Sequence, residues 1–573
     1  MVKLLKLIRD YKKETILAPT FKLLEALFEL FIPLVVASII DVGINNSDKS
    51  HIVKMALIMI ALSFIGFGAS VIAQYFSAKA SVGFATNVRS ALFSSIMKMS
   101  YTELDKSGTS ALITNMTSDI NQIQTGTNLT LRLFMRSPCI VFGAMIMAFT
   151  INVRLALIFT LMIIALSIVV FSIILGSVPL YKKVQTFLGK VTGNVRENLN
   201  GVRILRGFCR ERSEKQAFDI NASGLEKAQK FVGRISALMN PITYLIVNGA
   251  IMLLIYRGAV SVSDGNISQG QLVALYNYMT QILVELIKLA NLIITITKAI
   301  ACGQRVQAVI DGVEGEFYCD GDVDLKNNCP KVEFRNVSFR YDGAGDDSLS
   351  NVSFTANSGE TIGIIGATGS GKSTLVNLIP AFYEVTEGEI LIDGINVNNI
   401  DRKALRKKFG IVPQHATLMK DSLRENLNWR DVNASDDEIM NAAKTACAQK
   451  VILDKNGELD AYSEQLGKNF SGGQRQRLTI ARALVGDPEI LILDDSSSAL
   501  DYATDAELRA GIRSLPYEHT TFIVSQRTSS ILNADKIIVL DDGEVIGIGT
   551  HDELYGNCDA YREIHDLQFA QNK

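Results

Sequence analysis

Apolar residues gather in the first half of the chain into runs that no soluble helix would show. Met55–Ala78 and Leu155–Val178 each extend 24 residues without a charge, Ile235–Tyr256 extends 22, and Ser137–Val153 extends 17 and can continue backwards past Arg136. A bilayer core of ~30 Å is crossed by about 20 apolar residues as helix, whereas a soluble helix carries a polar stripe. Two further runs are interrupted by charge: Thr15–Ile40 by Lys22, Glu25 and Glu29, and Gly270–Thr297 by Glu285 and Lys288. Their length and apolar content still favour spanning. The pattern predicts six spans, at about 15–40, 55–78, 133–153, 155–178, 235–256 and 270–297, and residues 1–310 as a membrane all-α domain. The connections at about 79–131 and 179–234 keep helical periodicity with few Gly or Pro. They are expected to be long cytoplasmic helical extensions, turning at tips near 106–117 and 201–207.

From Lys331 the pattern changes. Short β-branched runs (VEFRNVSF, TIGIIG, EILILDD, TTFIVS, KIIVLDDG) alternate with helical stretches, which predicts an α/β domain with a mostly parallel sheet over 331–573. The polar, Gly-containing segment 311–330 reads as a linker. A chain of 573 residues exceeds a single core in any case.

Charge sharpens this division. Residues 1–310 hold 31 Lys and Arg against 16 Asp and Glu, leaving 26 and 43 of the totals of 57 and 59 for the rest. A basic, apolar half therefore precedes an acidic one. The positive charge sits beside membrane-length runs, so no nucleic-acid partner is expected; the lipid bilayer is. Lys and Arg crowd the N-terminal tail and the 179–234 connection and are absent from 261–270. By the positive-inside rule both termini and the soluble domain are expected on the cytoplasmic side of a cell membrane, as a multi-pass protein. The seven scattered cysteines contain no CxxC pair, against a zinc site or disulfide framework, and the N-terminus lacks the features of a cleavable signal peptide. Glu25 and Glu29 lie one helical turn apart, as do Glu285 and Lys288. Charges at such depth usually face a bundle interior; these line a transport pathway, where they would favour cationic cargo, form structural pairs, or sit near the membrane interface.

The soluble half carries the chemistry. Gly366-Ala-Thr368-Gly369-Ser370-Gly371-Lys372-Ser373-Thr374 follows a predicted strand and precedes a helical run, the context a phosphate-binding loop requires. Backbone N–H groups would curl round phosphate oxygens, Lys372 would reach the β- and γ-phosphates, and Ser373 would ligate Mg²⁺. Asp494 ends an apolar strand and would hold the same Mg²⁺. ATP and Mg²⁺ are the expected cofactors.

FSGGQRQR (470–477), together with that loop, Asp494 and SALD (498–501), resembles the ATP-binding cassette superfamily. Six spans followed by a cassette resemble an exporter-type half-transporter. The resemblance implies a RecA-like core with a helical subdomain. It implies that Tyr341 stacks on adenine, that Gln414 contacts Mg²⁺ and acts with the catalytic groups, and that Asp501 lies at a dimer seam. Ser471, Gly472, Gly473 and Gln474 would act in trans on ATP held by a second cassette. Two positions depart from the family pattern. Asp495 stands where the family has the Glu that orients the attacking water, and Gln526 where it has His. A shorter carboxylate and a neutral amide weaken hydrolysis while the binding groups stay intact. The resemblance is thus to the degenerate-site subunit of bacterial heterodimeric multidrug-type exporters, with a second half-transporter as partner and a small, amphipathic molecule as cargo. The alternatives are a homodimeric exporter or lipid flippase with two slow sites, or an ATP-gated channel or sensor. Importers usually carry spans and cassettes on separate chains, and the uncharged runs exclude a soluble DNA-repair cassette protein.

Overall fold

The computed structural model describes residues 2–313 and 329–570. The chain divides into two compact units, Met1–Ser94 with Leu112–Asp311, and Ser95–Ala111 with Gly312–Lys573.

The first unit is all helical. Six of its helices are long and apolar enough to cross a membrane: Lys6–Ile44, Lys49–Ile96, Thr109–Ile151, Val153–Ile173, Glu211–Ser263 and Gln269–Asp311. Their principal segments are α1 (Lys12–Ser38), α2 (Lys49–Ile96), with the tip helix α3 (Tyr101–Ser107) after it, α4 (Arg136–Ile151), α5 (Val153–Asn200), α6 (Val202–Gly207), α7 (Glu211–Ala237), α8 (Met239–Ser263) and α9 (Gln269–Asp311). The third and fourth spans are parted by one extended residue, Asn152, whose side chain accepts the Leu155 N–H at 3.2 Å and starts α5. α1, α4, α5, α8 and α9 share one apolar core, in which Phe159, Tyr278, Leu254 and Ile282 are fully buried.

The first and last spans are pinned at one end. Asp41 accepts the Gly270 N–H at 2.8 Å and a hydrogen bond from the Ser268 hydroxyl. A Cβ on Gly270 would sit 2.3 Å from the Ala37 carbonyl oxygen, so only glycine allows this approach.

The first tip lies earlier than the 106–117 expected from sequence. Ser100 and Glu103 form a capping box that starts α3, and Gly108 at φ +69° ends it. This short helix belongs to the second unit. Tyr101 stacks on Phe382 with ring centroids 4.4 Å apart, Tyr383 donates to Asp105 at 2.8 Å, and Lys106 pairs with Asp342 at 2.9 Å. The second tip is α6. Helix α9 runs to Asp311, and 314–328 of the expected linker lie outside the described residues.

The second unit holds two sheets. One has the order β10-β9-β3-β8-β7-β6, from β3 (Thr361–Gly366), β6 (Phe409–Val412), β7 (Ile490–Asp494), β8 (Thr520–Val524), β9 (Lys536–Asp541) and β10 (Glu544–Gly549). All its neighbours run parallel except β10 against β9. The inner strands β9, β3, β8 and β7 are buried on both faces, as a sheet covered on both sides requires. The other sheet, β2-β1-β4-β5, is antiparallel and comprises β1 (Val332–Phe339), β2 (Leu349–Ala356), β4 (Glu387–Ile392) and β5 (Ile395–Asn396). Of its strands only β1 was legible as a run of β-branched residues. Short helices between Leu423 and Leu484 pack on a separate core around Leu427, Ile439, Leu478 and Ile480.

Candidate functional site

The loop from Gly366 to Gly371 joins β3 to α10 (Lys372–Leu378). Its shape depends on two glycines. A Cβ at Gly366 would lie 2.0 Å from the Leu540 carbonyl oxygen, and Gly371, at φ +93°, would place one 2.7 Å from the Ser348 carbonyl. The chain thereby folds over itself and brings Lys372 back onto its own loop. The Lys372 ammonium donates to the Gly366 and Ala367 carbonyls at 2.9 and 2.6 Å and lies 3.4 Å from Ser370 Oγ. Burial holds its pKa below the usual lysine value, while Asp495 and Asp494 pull it back up.

Parallel register places the remaining groups. Asp494 ends β7 opposite Val524 of β8, so the residues that follow each strand converge on the loop. The Ser373 hydroxyl donates to Asp494 Oδ1 at 3.0 Å. Burial raises the Asp494 pKa, and neighbouring Asp495 raises it further against Ser373 and Lys372. Asp495 adopts φ +47°, and Gln526 Nε2 donates to its carboxylate at 3.5 Å. Burial raises the pKa of Asp495 too, opposed by Lys372, Arg527 and the Gln414 side chain. The Tyr341 hydroxyl lies 3.2 Å from Thr374 Oγ1, and its ring meets Tyr383 edge-on.

These groups surround one open cavity of about 610 Å³, lined by Tyr341, Thr368, Gly369, Gly371, Lys372, Ser373, Thr374, Gln414, Asp494, Asp495 and Gln526. Gly366 and Ser370 belong to the same loop. The donor set, a hydroxyl and a buried carboxylate in contact, suits a hard cation that takes oxygen ligands, and the glycine cradle suits phosphate. Asp346, Asp347 and Asp542 also line the cavity and were not anticipated. Asp542 and Gly543 form the β9–β10 turn, both at positive φ, and the DDG triplet there was the available signal.

Ser471, Gly472, Gly473 and Gln474 do not reach this cavity. They open α11 (Gly472–Leu484), where Ser471 and Gln474 satisfy each other's backbone N–H groups in a capping box. The N–H groups of Gly472 and Gly473 remain at the helix start, beside its positive dipole end. Asp501 caps the next helix by accepting from Thr504 N.

A raised carboxylate pKa means that the folded protein disfavours the ionised form. That penalty is absent below the unfolded pKa and grows as pH rises through the folded one. Asp494→Asn should therefore raise the unfolding temperature of the nucleotide-free protein at neutral pH while abolishing Mg²⁺-dependent nucleotide binding. Paired calorimetric scans with and without Mg-ATP measure both; a lower nucleotide-free unfolding temperature would show that Asp494 is instead fully compensated.

In the first unit, the charged residues of the first and sixth spans form one network with Arg136. Its guanidinium donates to Glu285 Oε1 at 2.5 Å and to Glu29 Oε2 at 2.6 Å, and lies 3.8 Å from Glu25. Lys22 pairs with Glu25 at 2.5 Å, and Lys288 with Glu285 at 2.8 Å. The excess of negative charge that would favour cationic cargo is thus cancelled. Among the described residues the cysteines are free, and no group of three or more His, Cys, Asp or Glu could hold a metal.

Comparison with known proteins agrees with this architecture. The ABC transporter transmembrane region family matches residues 15–286, and the ABC transporter family matches 349–498. An uncharacterized ABC transporter ATP-binding protein of Bacillus subtilis is 36% identical over 572 residues, covering 100% of this chain and 99% of that protein. An ATP-dependent lipid A-core flippase of Syntrophus aciditrophicus is 32% identical over 534 residues, 92% of this chain and 87% of its own. A solved bacterial Atm1-family ABC exporter with ATP bound superposes with a TM-score of 0.80 at 25% identity, covering 97% of this chain and 98% of that one. Six apolar helices, a phosphate-binding loop on a parallel sheet and full-length likeness together show that the chain belongs to the ABC transporter family, with a transmembrane region followed by an ATP-binding domain in the exporter-type fold.

Proposed function

We propose that this chain is one half of a dimeric ATP-driven exporter, and that its own nucleotide site holds ATP but hydrolyses it slowly. The observation that carries the second part is the pairing of the two departures. The Gln526 amide lies 3.5 Å from the Asp495 carboxylate, so the group available to orient a water is short and has a neutral amide beside it. The binding groups are all in place beside it.

In this reading Tyr341 stacks on adenine and the 366–374 loop with Lys372 cradles the phosphates. Ser373, Asp494 and Gln414 hold Mg²⁺, which when bound would neutralise charge developing on the phosphates. Ser471–Gln474 complete the site of a partner cassette with the free N–H groups of Gly472 and Gly473. ATP favours the closed cassette pair because it binds that conformation better. Closure is passed to the spans by the tips, and cargo leaves on the far side. Both termini and the cassette face the cytoplasm.

The partner is a second half-transporter with Glu and His at the two positions. Exposed apolar residues support a partner chain, whether different or identical: Ile204 and Phe208 at the second tip are 66% and 76% exposed. On the cassette, Met419, Tyr462 and Leu466 are exposed as well. A second reading is a pair of identical chains moving lipid, favoured by the likeness to the lipid A-core flippase.

The intact mass of the assembly, extracted gently from its native membrane, separates these. An equimolar second half-transporter carrying Glu and His, with unhydrolysed ATP retained in one site, is the expected result. A mass of two copies of this chain would overturn the heterodimer and leave Asp495 as the hydrolytic group of both sites.

A further inference from the structure

The ion network of the first unit borders a cavity of about 350 Å³ between α1, α4 and α9. Its members differ in how far they face that space. Arg136 and Glu285 are 8% and 4% exposed, whereas Glu29 and Lys288 are 36% and 42% exposed. Glu29 gives one carboxylate oxygen to Arg136 and Lys288 gives one donor to Glu285, which leaves each with bonding capacity turned to the cavity. Apolar wall is supplied by Ile32, Pro33, Ile140 and Val284.

Gln281 also lines the cavity, and its Oε1, shielded from that space, has no hydrogen-bond partner among the described residues. A buried polar atom without a partner is costly, so the Gln281 amide gains by turning toward a ligand donor.

Charge balance selects the ligand. Lys22, Arg136 and Lys288 offset Glu25, Glu29 and Glu285. Adding a molecule of net charge to a neutral network at membrane depth incurs the full cost of an uncompensated ion. A molecule with one cationic and one anionic group adds none, and it can meet both exposed residues at once.

We propose that this cavity is a binding subsite for a zwitterionic amphiphile. Its ammonium donates to Glu29, its anion sits on Lys288, and its apolar chain lies along Ile32, Ile140 and Val284. The inference deepens the export reading by naming the cargo class, and it rests on that reading for its role in transport.

The test uses the purified full assembly in nanodiscs of anionic phosphatidylglycerol, without nucleotide. Binding of dodecylphosphoethanolamine, dodecylammonium and dodecyl phosphate is compared. The zwitterion should bind about tenfold tighter than either ion, as one extra charge-assisted hydrogen bond implies. Glu29→Gln should weaken the zwitterion by about tenfold and strengthen dodecyl phosphate. Lys288→Gln should weaken the zwitterion similarly and strengthen dodecylammonium. Dodecylammonium binding as well as the zwitterion to the wild type would overturn the proposal, even if neither variant folds. So would an unchanged ranking in both variants. ATP binding by the same wild-type assembly is measured separately: its absence would sink the export reading and leave the binding comparison standing.

Discussion

Replacing Arg136 with alanine should destabilise the membrane unit by about 3–5 kcal/mol, the usual cost of removing one partner from a buried ion pair. The guanidinium bonds Glu285 and Glu29 directly and lies near Glu25, so its loss leaves carboxylates facing one another in a low dielectric. Thermal unfolding of the purified protein in lipid nanodiscs measures the loss. Arg136→Lys should recover part of it, because an ammonium keeps the charge but lacks the fork that spans two carboxylates. Arg136→Met combined with Glu29→Gln and Glu285→Gln should recover more, since the charges are removed together. A change under about 1 kcal/mol in the alanine variant, the range of an exposed pair, would mean that water reaches the network freely.

The double change Asp495→Glu with Gln526→His should raise the chain's own-site ATP turnover by about a hundredfold, the low end of what a placed general base contributes. Glutamate extends the carboxylate by one methylene, and histidine replaces the neutral amide beside it. The gain has a structural cost. Asp495 sits at φ +47°, a conformation that Asp tolerates better than Glu, and the left-handed region costs a longer residue roughly 1 kcal/mol or more. The variant should therefore be faster and less stable. Single-turnover hydrolysis beside denaturant unfolding tests both. Unchanged turnover in the folded double variant would place the block elsewhere than at these two residues.

How much of this was legible in the sequence depended on the distance over which residues act. The loop from Gly366 to Thr374 could be read because its shape is set by its own glycines and by the strand and helix on either side. The six membrane helices could be read because twenty apolar residues need no partner to declare themselves. The network around Arg136 could not, since Arg136 and Glu285 stand 149 positions apart and only packing brings α4 against α9. The contact between Asp495 and Gln526 was hidden for a similar reason. Each was visible as a departure, but the parallel register of β7 and β8 joins them. The first tip is a different case. Its capping box, Ser100 with Glu103, was present as a local signal, and helical periodicity on both sides masked it. The antiparallel sheet was missed because β5 has two residues, β2 and β4 are partly polar, and β1 supplies most of their pairing.

The contact of Asp41 with Gly270 has a mechanical consequence. It fastens the first span to α9 at one end, and Arg136 fastens both to α4 farther along. Two helices bolted at two heights, with a third bolted at one, cannot slide or splay independently; they behave as a post. The second span is joined to the first by other ties, a hydrogen bond from Lys22 to Ser70 at 3.1 Å and the Glu14–Lys79 pair at 2.8 Å. A bulky residue at Gly270 would therefore loosen the post at one end while Arg136 still held it at the other.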